Sequence, residues 1–352
     1  DRNDIAVVTN VTGDHLGLGG IESIGQLANV KGVVVEAVPR SGTAVLNADD
    51  SHVYRMGRHC AGRVVLFSMA TEKGEDGFDR VDGHTARGNA AFVLDPRPDG
   101  ELIVLRLGSR TMPVLYPHLI PATFGGRARM NVANALAAAA AAWASGAHLH
   151  DIRQGLRTFS TSFFQAPGRL NMLDVGGVRV VIDYCHNVDG MRQLADFVNR
   201  MMDDAPARVG HVGATAATVR TGRAIGVLGI PGDRRDEDQR DYGAIAATAF
   251  DELIVREDKH LRGRAPGETA GNVIEGIRSA RAAGDTQATR ADKILDEMTA
   301  VRTALRRAMP GDLVVCCVDD AIGVYKEAMA AAGSSSGPTA FADPGELEAP
   351  EG

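Results

Sequence analysis

Residues that could bind a ligand or carry charge in a reaction directly follow one apolar run near the middle of the chain. Val178 to Asp183 is largely apolar and closed by an acid, which is typical of a buried strand. Tyr184, Cys185, His186 and Asn187 come next. Taken singly, each is explained by a strand end and a helix cap at Asn187 or Asp189. Because ligands of open α/β sheets bind outside the carboxyl ends of strands, the combination predicts a ligand site.

A second polar group lies near the start of the chain, in the glycine-rich stretch Val11 to Gly20. Asp14 and His15 lie within it, and the helix predicted over Ile21 to Val38 contains Lys31. The motif GxxxxGK[ST] occurs nowhere in the sequence, so the glycines alone are weak evidence for phosphate binding. A histidine beside an aspartate is usually a loop residue, and a helix lysine is usually solvated, so a metal site here is the less favoured interpretation.

Polar residues also end the strands predicted in the second half of the chain: Gly229 to Asp233, Arg256 to Asp258, and Asp319 with Asp320. Carboxyl ends of parallel strands meet at one edge of a sheet, which indicates a site there without identifying its ligand. In the first half, Asn131 and Asn134 lie three residues apart on one face of a predicted helix. Asparagine there is normally a cap, and reading the edge of a base is the alternative.

The elements that position these residues predict an α/β protein of two domains. Residues 1–160 hold short strands and helices, with a small antiparallel layer in residues 62–118 and an exposed loop from Thr71 to Asn89. Residues 160–168 read as a linker. In residues 166–331 strands and helices alternate, the pattern of a doubly wound, Rossmann-like sheet, with Leu170 to Asp174 and Val178 to Ile182 as a hairpin. Residues 332–352 have the low-complexity composition of a disordered tail.

The composition and charge of the chain argue against several classes of function. The net charge of −7, without a basic run, leaves no electrostatic footprint for a nucleic-acid partner. No apolar stretch is long enough to span a membrane, and we expect no signal peptide. The four cysteines show no CxxC spacing, so we expect a reducing, cytoplasmic environment. The chain has no initiator methionine and opens shortly before a strand, which favours a fragment of a longer protein.

Seven segments in order resemble the Mur ligase superfamily and, within it, the carboxy-terminal Mur-like portion of the cyanophycin synthetase family. They are TNVTGDHLGLGG (Thr9–Gly20), the helix of Lys31, VLNADD (Val45–Asp50), NVANALAAA (Asn131–Ala139), GRLNMLDVGGVRVVIDYCHN (Gly168–Asn187), GDRRDED (Gly232–Asp238) and REDKHLRGRAPGE (Arg256–Glu268). The resemblance implies a partial central ATPase domain followed by a Mur-type Rossmann-like domain. It also implies an ATP-dependent ligase in which ATP phosphorylates a carboxylate and an amine attacks the acyl phosphate.

The resemblance also implies roles for individual residues. His15 and a carbamylated Lys31 would ligate Mg²⁺, and His186 matches the histidine that follows the strand-end aspartate. The nucleotide-binding set is Asn131, Asn134, Arg169 and Asp183. The amine would be L-arginine, joined to the β-carboxylate of aspartate on a poly-aspartate (cyanophycin) primer. The substrate guanidinium would be held by carboxylates drawn from Asp233, Asp236, Glu237 and Asp258.

One departure from the family pattern limits the prediction. The P-loop expected before the Thr9 strand is absent, as is the ATP-grasp region that adds aspartate, so we expect this polypeptide alone to be inactive. We expect the complete enzyme to be a homo-oligomer. The alternatives are a folylpolyglutamate-type ligase and a non-catalytic nucleotide-binding module, with a metal-dependent hydrolase built on Asp14 and His15 a distant third.

Overall fold

The computed structural model describes residues 3–14, 16–17, 19–203 and 222–333. Two six-stranded sheets organise this part of the chain. We call residues 3–159 the first lobe, residues 160–168 the linker, and residues 169–333 the second lobe.

The first lobe is built on one mixed sheet whose strands follow chain order. The first four strands are parallel, and the last two are antiparallel. The strands are β1 (Ile5–Val8), β2 (Thr43–Asn47), β3 (Arg63–Ser68), β4 (Ala90–Arg97), β5 (Gly100–Leu107) and β6 (Arg110–Leu115). The helices are α1 (Ile24–Glu36), α2 (Ser51–Met56), α3 (Asp76–Thr85), α4 (Arg129–Ala144) and α5 (Leu149–Thr158).

The loop predicted from Thr71 to Asn89 is wrong, because α3 occupies most of it. Its sequence, DGFDRVDGHT, is polar and contains two glycines, so local propensity argues against a helix. Tertiary contact overrides that preference: Val81 is buried, and the ring of buried His84 hydrogen-bonds the carbonyl of Val64 on β3 at 3.1 Å. Since β3 pairs in parallel with β4, the antiparallel layer also starts later than predicted.

The second lobe is a parallel sheet with one antiparallel edge strand, in the order β11-β10-β9-β12-β8-β7. Its strands are β7 (Asn171–Val175), β8 (Val178–Asp183), β9 (Ala224–Leu228), β10 (Glu252–Val255), β11 (Arg290–Lys293) and β12 (Leu313–Cys317). Its helices are α6 (Val188–Asp203), α7 (Asp236–Ala247), α8 (Glu268–Ala283), α9 (Glu297–Arg307) and α10 (Ala321–Gly333). The doubly wound arrangement and the hairpin of β7 with β8 are confirmed. Edge strand β11, RADK, is charged and was not predicted.

The linker packs on the second lobe. Phe163 is buried and stacks on Tyr325 of α10, with ring centroids 4.1 Å apart. The side chain of buried Asn171 donates hydrogen bonds to the carbonyls of Thr161 and Ala166. The linker is therefore held by the lobe that follows it.

An apolar contact joins the two lobes at the start of α4. Phe124, just before this helix, packs against Phe197 of α6 with ring centroids 5.4 Å apart. Ala128 is fully buried within the second-lobe core, and Met130 packs against the same core. The residues before and within the first turn of α4 thus belong structurally to both lobes.

Candidate functional site

A cavity of about 790 Å³ lies between the lobes. Helices α4 and α5 of the first lobe form one wall, and the end of β8 with the start of α6 forms the other. Five of the predicted site residues line it: Asn131, Asn134, Arg169, Asp183 and His186. Residues far apart in sequence therefore share one space.

The wall from α4 is formed by small side chains. Ala135, Ala138, Ala139 and Ala142 face the cavity, with Asn131 and Asn134 at its mouth end. Alanine gives this helix its high propensity and leaves room for a planar group beside it. The Asn131 amide donates to the carbonyl of Ala122 at 2.6 Å, and its oxygen accepts from the Asn134 amide at 3.3 Å. The orientation of the pair is therefore set by the protein.

Asp183 ends β8 at the opposite wall. One of its carboxylate oxygens accepts a hydrogen bond from the backbone N–H of Leu170 at 2.9 Å. Burial raises the pKa of the Asp183 carboxyl, and this hydrogen bond with the charge of Arg169 opposes the rise. Leu170 holds that N–H in place with a left-handed backbone, φ +48°, which is strained for a residue other than glycine.

Arg169, Tyr184 and His186 contact one another in series at the cavity. The Arg169 guanidinium carbon lies 5.5 Å from the centroid of the Tyr184 ring, and that ring lies 4.9 Å from the His186 ring. Nδ1 of His186 hydrogen-bonds the carbonyl of Tyr184 at 2.8 Å. Interaction with the Asp14 carboxylate, opposed by burial, raises the pKa of His186. Arg169 and His186 both lie close enough to Asp183 to act on its carboxyl electrostatically.

Of the two predicted metal ligands, Lys31 is the one that the described part of the chain includes. His15 falls outside the described residues. Lys31 lies on α1, is half-buried, and is not among the residues that line the cavity. Over the described ranges, no group of three His, Cys, Asp or Glu side chains converges in a way that would hold a metal ion. A Mg²⁺ site would therefore need phosphate oxygens and water to complete it, which is the usual pattern for this cation.

Each carboxylate proposed for substrate binding is already paired with an arginine of the chain. Asp233 pairs with Arg262 at 2.7 Å, and Asp236 pairs with Arg264 at 2.7 Å. The remaining pairs are Glu237 with Arg235 and Asp258 with Arg256. These carboxylates are thus placed to bind guanidinium groups, and a substrate would have to exchange with the internal ones.

Three positioning features were missed by sequence reasoning. Asn171 clamps the linker beside Arg169, Leu170 holds Asp183, and Asp14 reaches the second lobe. In the sequence analysis Asp14 was considered only as a loop residue or as part of a metal site, and not as a contact between the lobes. Asn187, by contrast, caps α6 as predicted, since its side-chain oxygen accepts from the N–H of Gly190 at 2.7 Å.

Comparison with known families places this geometry in context. The model of the Mur ligase middle domain matches residues 2–142, and that of the Mur ligase glutamate ligase domain matches residues 200–317. The chain belongs to the Mur ligase family.

Within that family the chain is similar to cyanophycin synthetases. It is 40% identical to the one from Crocosphaera subtropica over 315 residues, which are 90% of this chain and 32% of that protein. A second, from Synechocystis, shows the same identity and coverage. The UDP-N-acetylmuramoyl-L-alanyl-D-glutamate–2,6-diaminopimelate ligase of Gloeobacter violaceus is 28% identical over 89% of this chain and 53% of its own length. The chain thus spans about a third of the length of the cyanophycin synthetases it matches.

Solved structures show the same fold. MurF from Acinetobacter baumannii superposes with a TM-score of 0.60 at 18% identity, covering 94% of this chain and 60% of that one. The bifunctional folylpolyglutamate synthase/dihydrofolate synthase of Yersinia pestis, complexed with AMPPNP and Mn ion, gives 0.59 at 19% identity, covering 94% and 62%. Among the helices that the structure describes, none has the length and apolarity needed to cross a membrane.

Proposed function

We propose that this chain binds ATP in the interlobe cavity as part of an ATP-dependent amide-bond ligase of the cyanophycin synthetase type. The observation that carries the proposal is the convergence of Asn131 and Asn134 from one lobe with Arg169 and Asp183 from the other on one cavity. Such a cavity supplies an apolar wall, two oriented amides, a carboxylate and a cation, which are the groups that a base, a ribose and phosphates require.

The proposed roles follow from chemistry and position. The Asn131–Asn134 pair would hydrogen-bond the edge of the adenine, whose face would lie against the alanines of α4. Asp183 would accept hydrogen bonds from ribose hydroxyls, and Arg169 would neutralise phosphate charge. The His186 imidazole, which lines the same cavity, would lie beside the phosphates as a hydrogen-bonding group.

Mg²⁺ would neutralise charge on the phosphates during phosphoryl transfer. Lys31 could contribute to its site only after carbamylation, because an ammonium group has no lone pair to donate, whereas a carbamate offers oxygens. Lys31 forms no ion pair or side-chain hydrogen bond within the described ranges, so nothing there opposes such a modification. His15 would be the second protein ligand.

For the substrates, we propose L-arginine and the β-carboxylate of aspartate on a poly-aspartate backbone. The carboxylate would take the γ-phosphoryl group of ATP, forming an acyl phosphate and releasing ADP. The arginine amine would then attack the acyl carbon, forming the amide and releasing phosphate and a proton. The support is the 40% identity with cyanophycin synthetases, against 28% with the diaminopimelate ligase. The carboxylates at Asp233 and Asp236, which bind guanidinium groups within the chain, fit such an amino acid.

Calorimetric titration with AMPPNP and Mg²⁺ tests the nucleotide site. We expect Arg169→Ala and Asp183→Asn each to weaken binding about tenfold or more, since each removes a charged hydrogen-bonding partner worth roughly 1.5–3 kcal/mol. Asp196→Asn is the matched control, because this carboxylate lies on α6, is not part of the cavity lining and forms an ion pair with Arg200. Unchanged affinity in both site variants would contradict the assignment.

A chimera tests the substrates. The matching third of the Synechocystis cyanophycin synthetase would be replaced by this chain, and incorporation of labelled amino acids into a poly-aspartate primer measured. We expect arginine to be incorporated with ATP, and glutamate with a folate acceptor to give no product. Because GxxxxGK[ST] is absent, we expect the isolated chain to be inactive; primer elongation by that chain would refute this part of the proposal.

A further inference from the structure

One ion pair crosses between the lobes beside the cavity. Asp14, in the glycine-rich loop of the first lobe, forms an ion pair with the guanidinium of Arg234 in the second lobe, with Nη2 and Oδ1 2.7 Å apart. The amide of Asn187 donates to the other oxygen of Asp14 at 3.3 Å, and Nε2 of His186 lies 3.8 Å from it. We call Asp14 and Arg234 the interlobe ion pair.

We propose that the interlobe ion pair holds the two lobes closed around the cavity, with Arg234 as the positioning residue of the closed state. His186 and Asn187 line the cavity and contact Asp14, so the pair and the cavity share the same wall. The cavity is complete only while α4 and α5 stay opposite β8 and α6, and this contact opposes their separation.

The loop that carries Arg234 is held by hydrogen bonds from side chains to its backbone carbonyls. Its carbonyl accepts from the side chains of Gln239, at 3.1 Å, and Arg264, at 2.9 Å. Arg264 also donates to the carbonyl of Gly232, and Gln239 is fully buried. These bonds fix the backbone at Arg234. Its guanidinium reaches the first lobe, and only 8% of the residue is exposed.

The interlobe ion pair and the apolar contact between the lobes are formed by different residues. Phe124 and Phe197 hold the start of α4 against α6, where no charge is involved. The ion pair instead links loops at the carboxyl ends of β1 and β9. An apolar contact tolerates small rotations, whereas a charged pair needs a defined distance, so we assign the pivot to the phenylalanines and the closing contact to Asp14 and Arg234.

Opening leaves Arg234 with a partner. Asp233 lies in the same loop, with Oδ1 3.2 Å from Nη1 of Arg234, so the guanidinium keeps one carboxylate and gains water when Asp14 leaves. Breaking a buried ion pair is costly when one charged group stays buried without a partner. Arg234 avoids this cost because Asp233 remains beside it. The contact can therefore form and break without unfolding either lobe.

Small-angle X-ray scattering of the full 352-residue chain tests the proposal directly. We expect the wild-type curve to fit the closed arrangement, and Arg234→Gln and Asp14→Asn each to increase the radius of gyration and the maximum dimension. The charge-reversed double variant Asp14→Arg with Arg234→Asp should return both towards wild type. Arg235→Gln is the control, because Arg235 pairs with Glu237 and Asp238 of its own lobe; it should scatter like wild type.

Circular dichroism checks that each variant is folded. If Arg234→Gln fails to fold, Asp14→Asn, in a loop of the other lobe, tests the proposal in its place. Unchanged dimensions in the folded single variants, or a wild-type curve that fits separated lobes, would overturn the proposal. A consequence that rests on the proposed function is that the same variants weaken AMPPNP binding roughly 5- to 150-fold, the usual range of coupling. Absent nucleotide binding by wild type would count against the proposed function alone, because the scattering result does not depend on it.

Discussion

Replacing Asn171 with alanine should destabilise the second lobe and release the linker that directly precedes Arg169. Asn171 is 1% exposed and makes three side-chain hydrogen bonds to backbone. Its oxygen accepts from the N–H of Gly168 at 2.6 Å, and its amide donates to the carbonyls of Thr161 and Ala166 at 2.9 and 2.7 Å.

The magnitude follows from the fate of these three backbone groups. The N–H of Gly168 is buried and would be left without its partner, which costs about 1–3 kcal/mol. The carbonyls of Thr161 and Ala166 are only partly buried and would regain some water, so each adds less. We therefore expect Asn171→Ala to lower the free energy of unfolding by about 2–3 kcal/mol.

Urea unfolding provides the assay, and the chain offers an internal reference. Its one tryptophan, Trp143, lies on α4 and packs against Phe92, so its fluorescence reports the first lobe, while far-UV circular dichroism reports both lobes. The control is Asn3→Ala, which removes one exposed hydrogen bond, to the carbonyl of Val34, and should cost less than about 0.5 kcal/mol.

Two results would refute the reasoning about Asn171. One is a loss below about 1 kcal/mol, since that is no more than a single ordinary hydrogen bond contributes. The other is a shift confined to the fluorescence of Trp143, which would place the effect in the wrong lobe. Asn171→Asp should be at least as harmful at pH 7, because it replaces both donors with a carboxylate facing two carbonyl oxygens.

Two further predictions concern pH dependence and helix packing. Burial raises the pKa of the Asp183 carboxyl, so its contribution to stability is greatest at acidic pH and is lost as the pH rises through the folded-state pKa. Asp183→Asn should therefore raise the melting temperature at pH 8. Calorimetry should find that this gain vanishes below about pH 4, where the carboxyl is protonated in both states. Gly276→Ala should lower the free energy of unfolding in urea by about 1–3 kcal/mol or more, since its Cβ would lie 1.9 Å from the carbonyl oxygen of Arg240 on α7. Gly271→Ala, which has open space on the same helix, should be neutral or stabilising. Equal effects at both glycines would contradict this account of the helix contact.

Elements with strong local signals were predictable from sequence. Strand β8 has the predicted ends, and β9 and β10 end directly before Gly229 and Arg256, the polar residues predicted to follow them, because short apolar runs closed by polar residues leave few alternatives. Helix α3 and strand β11 were missed because their residues are polar, and only packing against β3 or pairing with β10 makes them regular. Hydrophobic periodicity and secondary-structure propensity carry no information about such tertiary contacts.

The candidate site divides in a similar way. Motifs supplied Asn131, Asn134, Arg169, Asp183 and His186, and they share one cavity. The internal arginine partners of Asp233 and Asp236 could not be predicted, since ion pairs depend on how loops approach one another. The same holds for the partner of Asp14, which lies more than 200 residues away in sequence.

By itself, the sequence determined which segments become buried strands, where the second-lobe sheet ends in polar residues, and which side chains are available for chemistry. These properties depend on neighbours within a few residues, through alternation, capping and backbone preference. The tertiary structure alone decided that α4 faces β8, that Leu170 holds Asp183, and that Arg234 meets Asp14. Those contacts depend on how two separately folded layers dock, and docking is set by complementary surfaces rather than by local pattern.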